Sequence, residues 1–264
     1  ASINIAIRSF TNEGDGVIIQ QPVYDPFATI VKNDNRKVVN NGLVHINNEF
    51  KMNLEELEAL AAKPENKLMV LCSPHNPVGR VWTKEELTAV AEICLKHDVL
   101  LVTDEIHADI VYEGYKHYPL LSLDKRYEEN FILLTAPSKT FNVAGLKASM
   151  SIIPNKELRE KFEHTQKAMS LDVRNTFGLE CVSAAYTDEG EAWMKQEIAY
   201  MQKNVDFLEK FVEEQMPGTK MIRPQGTFLC WLDLSELHLG DQELFRRVVF
   251  EANVICVPGT WFGP

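Results

Sequence analysis

Short, unbroken apolar runs alternate with amphipathic stretches along the first half of the chain. The runs lie at 17–19, 68–72, 99–102, 131–134 and 148–153. Those reading LMVLC and VLLV are continuous rather than alternating, which predicts strands covered on both faces. Between them, Thr83 and Glu86 form a capping box able to satisfy the first free backbone donors of a helix. A single apolar stripe follows at Leu87, Val90, Ala91, Cys94 and Leu95, and this helix should end near His97 and Asp98. Asn53 with Glu56 opens a similar helix through Leu57 and Leu60. Strands alternating with helices of this length imply crossover units and a largely parallel sheet, an α/β fold.

Beyond Pro154 the sequence becomes charged and helix-rich, with breaks expected near 188–190 and at Pro217 and Gly218. Residues 226–234 (GTFLCWLDL) read as a strand, followed by a helix from Asp241 and a strand over 254–257. The expected organisation is a large domain over 1–190 and part of a smaller α+β domain over 191–264. Ile3, Ala6, Ile7 and Phe10 fall at helical spacing from the first residue, and the last residues are turn formers directly after an apolar run. Both ends therefore read as cuts in a longer chain.

Composition narrows the function classes. Apolar residues make up 45% and charged residues 25%, an ordinary globular balance that argues against disorder. The formal net charge of −11 offers no basic face for nucleic acid. No apolar run approaches the length of a membrane span, and no signal peptide is visible. The five cysteines are scattered without a C-x-x-C pair, which fits a reducing, cytoplasmic setting better than a disulfide framework or zinc site.

In open parallel sheets, ligands bind beyond the carboxyl ends of the strands. Those ends carry SPHNPVG with Asn76, TDEIH with Asp104 and His107, and TAPSKTFN with Lys139. Each has a plain explanation: a turn asparagine, a helix-capping carboxylate, a packing histidine, a solvated lysine. Together, polar groups at neighbouring strand ends are harder to explain separately. No G-x-G-x-x-G follows the first strand, which disfavours a nicotinamide dehydrogenase, and no clustered His, Asp and Glu set suggests a metal hydrolase.

Tyr24 in PVYDPF, Asn76 in HNPVG, Asp104 in TDEIH and Lys139 in APSKTFN, with 35 positions between Asp104 and Lys139, resemble the fold-type I pyridoxal-phosphate enzymes of the aminotransferase class I/II superfamily. DEIH together with APSKTFN-x-AGL most resembles its cystathionine β-lyase branch of carbon–sulfur lyases. The resemblance implies a three-layer domain with a mostly parallel sheet that binds pyridoxal 5′-phosphate. Lys139 would capture the cofactor aldehyde and serve as base at the substrate Cα. Asp104 would hold the pyridine nitrogen protonated. Asn76 and His107 would approach the ring 3-oxygen, and Tyr24 would stack on the ring.

For the phosphate, the resemblance implies Ser138 and Lys147, while Ala136 stands where many aminotransferases have serine. The family's glycine-containing phosphate loop is expected before Ala1 and its carboxylate-binding arginine beyond Pro264, so the pocket of these residues alone is expected to be incomplete. The implied activity is β-elimination from cystathionine or a related small sulfur amino acid. An aminotransferase, or a non-catalytic regulatory protein on the same scaffold, remains an alternative. A homodimer is also implied.

Overall fold

The structure, a computed structural model, describes residues 1–263. In chain order its helices and strands are α1 (Ser2–Phe10), β1 (Gly16–Ile19), α2 (Pro26–Asn33), β2 (Lys37–Asn40), β3 (Val44–Ile46), β4 (Glu49–Lys51), α3 (Leu54–Ala61), β5 (Asn66–Cys72), α4 (Lys84–Lys96), β6 (Leu100–Asp104), β7 (Phe131–Thr135), α5 (Pro137–Thr140), β8 (Met150–Ile152), α6 (Lys156–Ala168), α7 (Thr176–Ala185), α8 (Asp188–Gln215), β9 (Lys220–Ile222), β10 (Trp231–Asp233) and α9 (Asp241–Arg246). A six-stranded sheet runs in the order β2-β1-β5-β6-β7-β8. Its neighbours pair in parallel except β7 with β8, which are antiparallel.

The continuous apolar runs have a direct structural cause: side chains alternate between two separate cores. Leu68, Val70, Cys72, Val102, Ile132 and Leu134 join α1, α2 and α6 on one face. Met69, Leu71, Leu101 and Phe131 join α3 and α4 on the other. Three layers result, and the chemistry-bearing residues are left to the sheet's carboxyl rim. The expected caps are present. Thr83 and Glu86 close a full capping box on α4, and Asn53 accepts the Glu56 N–H at the start of α3.

Three strand expectations are corrected, and one helix break is placed. The strand expected over 148–153 is only β8, and it runs antiparallel. The break expected near 188–190 falls at Tyr186 and Thr187, between α7 and α8, where Thr187 accepts the Gly190 N–H and the acidic first turn of Asp188, Glu189 and Glu191 suits a helix amino end. The strand expected over 226–234 shrinks to β10, since Gly226 instead bridges Val111 and Thr227 bonds to Ile110. Residues 254–257 form no strand: Val254, Ile255 and Val257 are exposed, and among the described residues no neighbouring strand pairs with them. A β-prone sequence without a ladder partner has no reason to extend.

Candidate active site

The sheet order departs in opposite directions from β1, to β2 on one side and β5 on the other, which makes the crevice between β1 and β5 a topological switch point. Tyr24 follows β1 and Asn76 follows β5, and the Tyr24 N–H donates to the Asn76 carbonyl at 3.0 Å. Tyr24 turns its edge to Phe27 and leaves 41% of its surface exposed. Burial, followed by the nearby Asp104 and Asp25 charges, raises its phenol pKa.

Asn76 sits in a tightly tied loop. The His75 N–H donates to the Arg80 carbonyl and the Gly79 N–H to the His75 carbonyl, both at 2.8 Å. The Asn76 N–H donates to Cys72 Sγ at 3.3 Å. His75 is buried against Trp82, with Nε2 at 2.9 Å from the Pro22 carbonyl. The Asn76 side-chain oxygen is buried without a partner among the described residues.

Asp104 ends β6, in register with Cys72 of β5 and Leu134 of β7. Burial pushes its carboxyl up to about 6. The Ile106 N–H opposes that rise, Glu105 adds to it, and the amino end and Lys139 oppose it. Its Oδ1 accepts the Ile106 N–H at 3.3 Å, and its Oδ2 accepts no hydrogen bond among the described residues. The adjacent carboxylate has a different fate. Glu105 is buried and fully engaged, with His117 Nε2 at 2.8 Å, the Thr103 hydroxyl at 3.0 Å and the Leu120 N–H at 3.1 Å. One carboxylate fixes the loop and the other stays open at the rim.

His107 is buried, and neither ring nitrogen has a partner among the described residues. Burial, followed by the Lys139 charge, holds its pKa down at about 4, so the ring is neutral at physiological pH. Lys139 lies in α5, the single turn after β7, anchored by the Thr140 hydroxyl donating to Asp109 Oδ2 at 2.8 Å. Its amine makes no ion pair among the described residues and lies 5.6 Å from the centre of the Phe228 ring. That ring also packs 5.5 Å from His107.

Tyr24, Asn76, Asp104, His107 and Lys139 are thus brought to one rim from the ends of β1, β5, β6 and β7. Ser138, half-buried beside Lys139, donates no side-chain hydrogen bond among the described residues. Lys147 is exposed in a left-handed backbone conformation, on the flank where the amino end of α1 approaches. There Ser2 Oγ meets Ser149 Oγ at 3.2 Å. Phe228 and Glu105 were not singled out from the sequence. Phe228 lies in a stretch whose alternation signalled only a strand, and Glu105 is indistinguishable from Asp104 until its partners are placed.

No helix is long and apolar enough to cross a membrane, and no cluster suited to a metal ion occurs among the described residues. The chain is 39% identical over 263 residues to cystathionine beta-lyase PatB of Bacillus subtilis, covering 100% of this chain and 68% of PatB. It is 33% identical to protein MalY of Escherichia coli, covering 97% of this chain and 65% of MalY. The crystal structure of cystalysin from Treponema denticola, which contains a pyridoxal 5′-phosphate cofactor, superposes with a TM-score of 0.97 at 37% identity, over 99% of this chain and 66% of cystalysin. The chain therefore spans about two thirds of the length of these relatives. The family model for aminotransferase class I and II matches residues 1–263. With the open-rimmed α/β sheet and the polar groups gathered at its switch point, that match assigns the chain to the aminotransferase class I and II family.

Proposed function

We propose that the protein is a pyridoxal-phosphate-dependent carbon–sulfur lyase that cleaves the Cβ–S bond of cystathionine or a related sulfur amino acid, giving a thiol, pyruvate and ammonia. The observation that carries the reading is the set of unsatisfied polar groups at one rim. Among the described residues, the Asn76 side-chain oxygen and both His107 nitrogens are buried without partners, and one Asp104 oxygen lacks a donor. Buried polar atoms are seldom left unpaired unless water or a ligand completes them, and here they gather on the rim that carries Lys139. This donor and acceptor set fits pyridoxal 5′-phosphate: a carboxylate for a ring N–H, the Asn76 amide N–H and a neutral imidazole N–H as donors to a ring oxygen, an aromatic face and an amine without an ion-pair partner among the described residues. Similarity to PatB and MalY supports the lyase assignment.

Pyridoxal 5′-phosphate, when bound, supplies an aldehyde for amine capture and a ring that withdraws electrons from the substrate Cα. Asp104 would hold a proton on the ring nitrogen. Its carboxyl is destabilised as an anion by burial, so a cationic partner there is strongly favoured. Lys139 Nζ would take the Cα proton, and the Thr140–Asp109 hydrogen bond keeps its short helix in place. Tyr24 would cover one ring face, and Asn76 and His107 would fix the 3-oxygen. Ser138 and Lys147 would meet the phosphate.

L-Cystathionine supplied alone to the cofactor-loaded protein is expected to release pyruvate. A strict requirement for a 2-oxo acid acceptor would replace this reading with an aminotransferase.

A further inference from the structure

Residues 224–228 touch both loops that carry the rim groups. Toward the Asn76 loop, the N–H groups of Gln225 and Gly226 donate to the Gly79 carbonyl at 2.8 and 3.2 Å. The Gln225 side-chain oxygen accepts the Val81 N–H at 2.9 Å and Arg80 Nη1 at 3.1 Å. Toward the His107 loop, the Tyr112 N–H donates to the Gln225 carbonyl at 3.0 Å and the Thr227 N–H to the Ile110 carbonyl at 2.9 Å. The Tyr112 hydroxyl donates to the Thr227 carbonyl at 2.8 Å.

The approach is as close as side chains permit. A Cβ on Gly79 would lie 2.6 Å from Pro224 Cβ, and one on Gly226 would lie 2.6 Å from the Ile110 carbonyl oxygen. Thr227 is fully buried at a φ of 67°, a left-handed conformation that a β-branched residue adopts only when its surroundings compel it. The next residue, Phe228, lies over Lys139 and against His107.

We propose that residues 224–228 are a strap that sets the spacing between Asn76 and His107 and lays Phe228 over Lys139, with Gln225 as its central positioning residue. The proposal rests on the reading of Asn76 and His107 as cofactor ligands. Gln225 suits the place because Arg80 already pairs with Glu49 and Glu86, each at 2.6 Å, so a neutral oxygen can accept from Nη1 without adding a third carboxylate. The same oxygen satisfies the Val81 N–H. The strap joins loops on two different strands through a segment more than 100 residues further along the chain, so its effect on the site is indirect.

The test uses Gln225→Leu, which removes the acceptor at similar volume, and Gln225→Glu, which keeps it. Hydrogen exchange of the cofactor-free protein is expected to rise about tenfold over 75–82 and 107–113 in the leucine variant, the scale of one lost buried hydrogen bond, and to stay near wild type in the glutamate variant. In an absorbance titration with pyridoxal 5′-phosphate, Gln225→Leu should weaken binding about tenfold alone but add little in an Asn76→Ala background. Unchanged exchange, or effects that add in full across the two backgrounds, would overturn the strap. If Gln225→Leu fails to fold, Tyr112→Phe decides the matter. It removes only the hydroxyl bond to Thr227, yet must raise exchange over 75–82, and unchanged exchange there refutes the coupling. Absence of pyruvate release by the wild-type protein would overturn the functional reading instead, and the exchange data would still decide the strap.

Discussion

Replacing Asp104 with asparagine is expected to stabilise the cofactor-free protein at neutral pH while impairing the loaded enzyme. Burial raises the Asp104 carboxyl from 3.8 to about 6. At 1.36 kcal/mol per pH unit this corresponds to about 3 kcal/mol. Because the side chain keeps some exposure, about 1–3 kcal/mol is the realistic range. A carboxyl whose folded pKa lies above its unfolded value disfavours the folded state fully above about pH 6 and not at all below its unfolded value of 3.8. Asparagine removes that penalty and can still accept the Ile106 N–H. Denaturant unfolding, followed through the four tryptophans, should show the variant more stable at pH 8. The gap should close as the pH falls through 6 toward 4. Equal or lower stability at pH 8, or a gap that does not change with pH, would refute the reasoning. In the loaded enzyme the same substitution should lower turnover about 10²- to 10³-fold, the scale of losing one electrostatic group at a reacting centre.

Other substitutions separate chemistry from scaffold. Lys139→Ala should abolish pyruvate release while leaving the denaturant midpoint close to wild type, since its amine makes no ion pair among the described residues; near-normal rates would contradict its role. Glu105→Ala should cost about 2–5 kcal/mol in unfolding measurements, because it leaves the His117 ring, the Thr103 hydroxyl and the Leu120 N–H facing a hole. A loss under about 0.5 kcal/mol would show that this buried carboxylate does not hold the loop.

What was legible in the sequence is what local physics determines. The runs around Leu68, Leu101 and Ile132 had to be two-sided strands because no polar residue interrupts them, and Thr83 with Glu86 marks a helix start within four residues. The residues following those strands then shared a rim because parallel crossovers bring carboxyl ends together. What was not legible depends on distant partners. Asp104 and Glu105 are chemically alike neighbours, and only the positions of His117 and Leu120 make one structural and the other open. Phe228 reaches Lys139 because Gly226 and Thr227 leave the expected strand to bond with Ile110 and Gly79, far away in sequence. The apolar run at 254–257 signals a strand correctly in composition, but pairing needs a neighbour that no local pattern specifies.

The central claim is that one amine, Lys139, faces a bound ring whose nitrogen is met by Asp104. Borohydride reduction of the protein loaded with pyridoxal 5′-phosphate, followed by peptide mapping, tests it most directly. The account predicts a pyridoxyl group fixed on Lys139, while a label on another lysine, or on none, would contradict it.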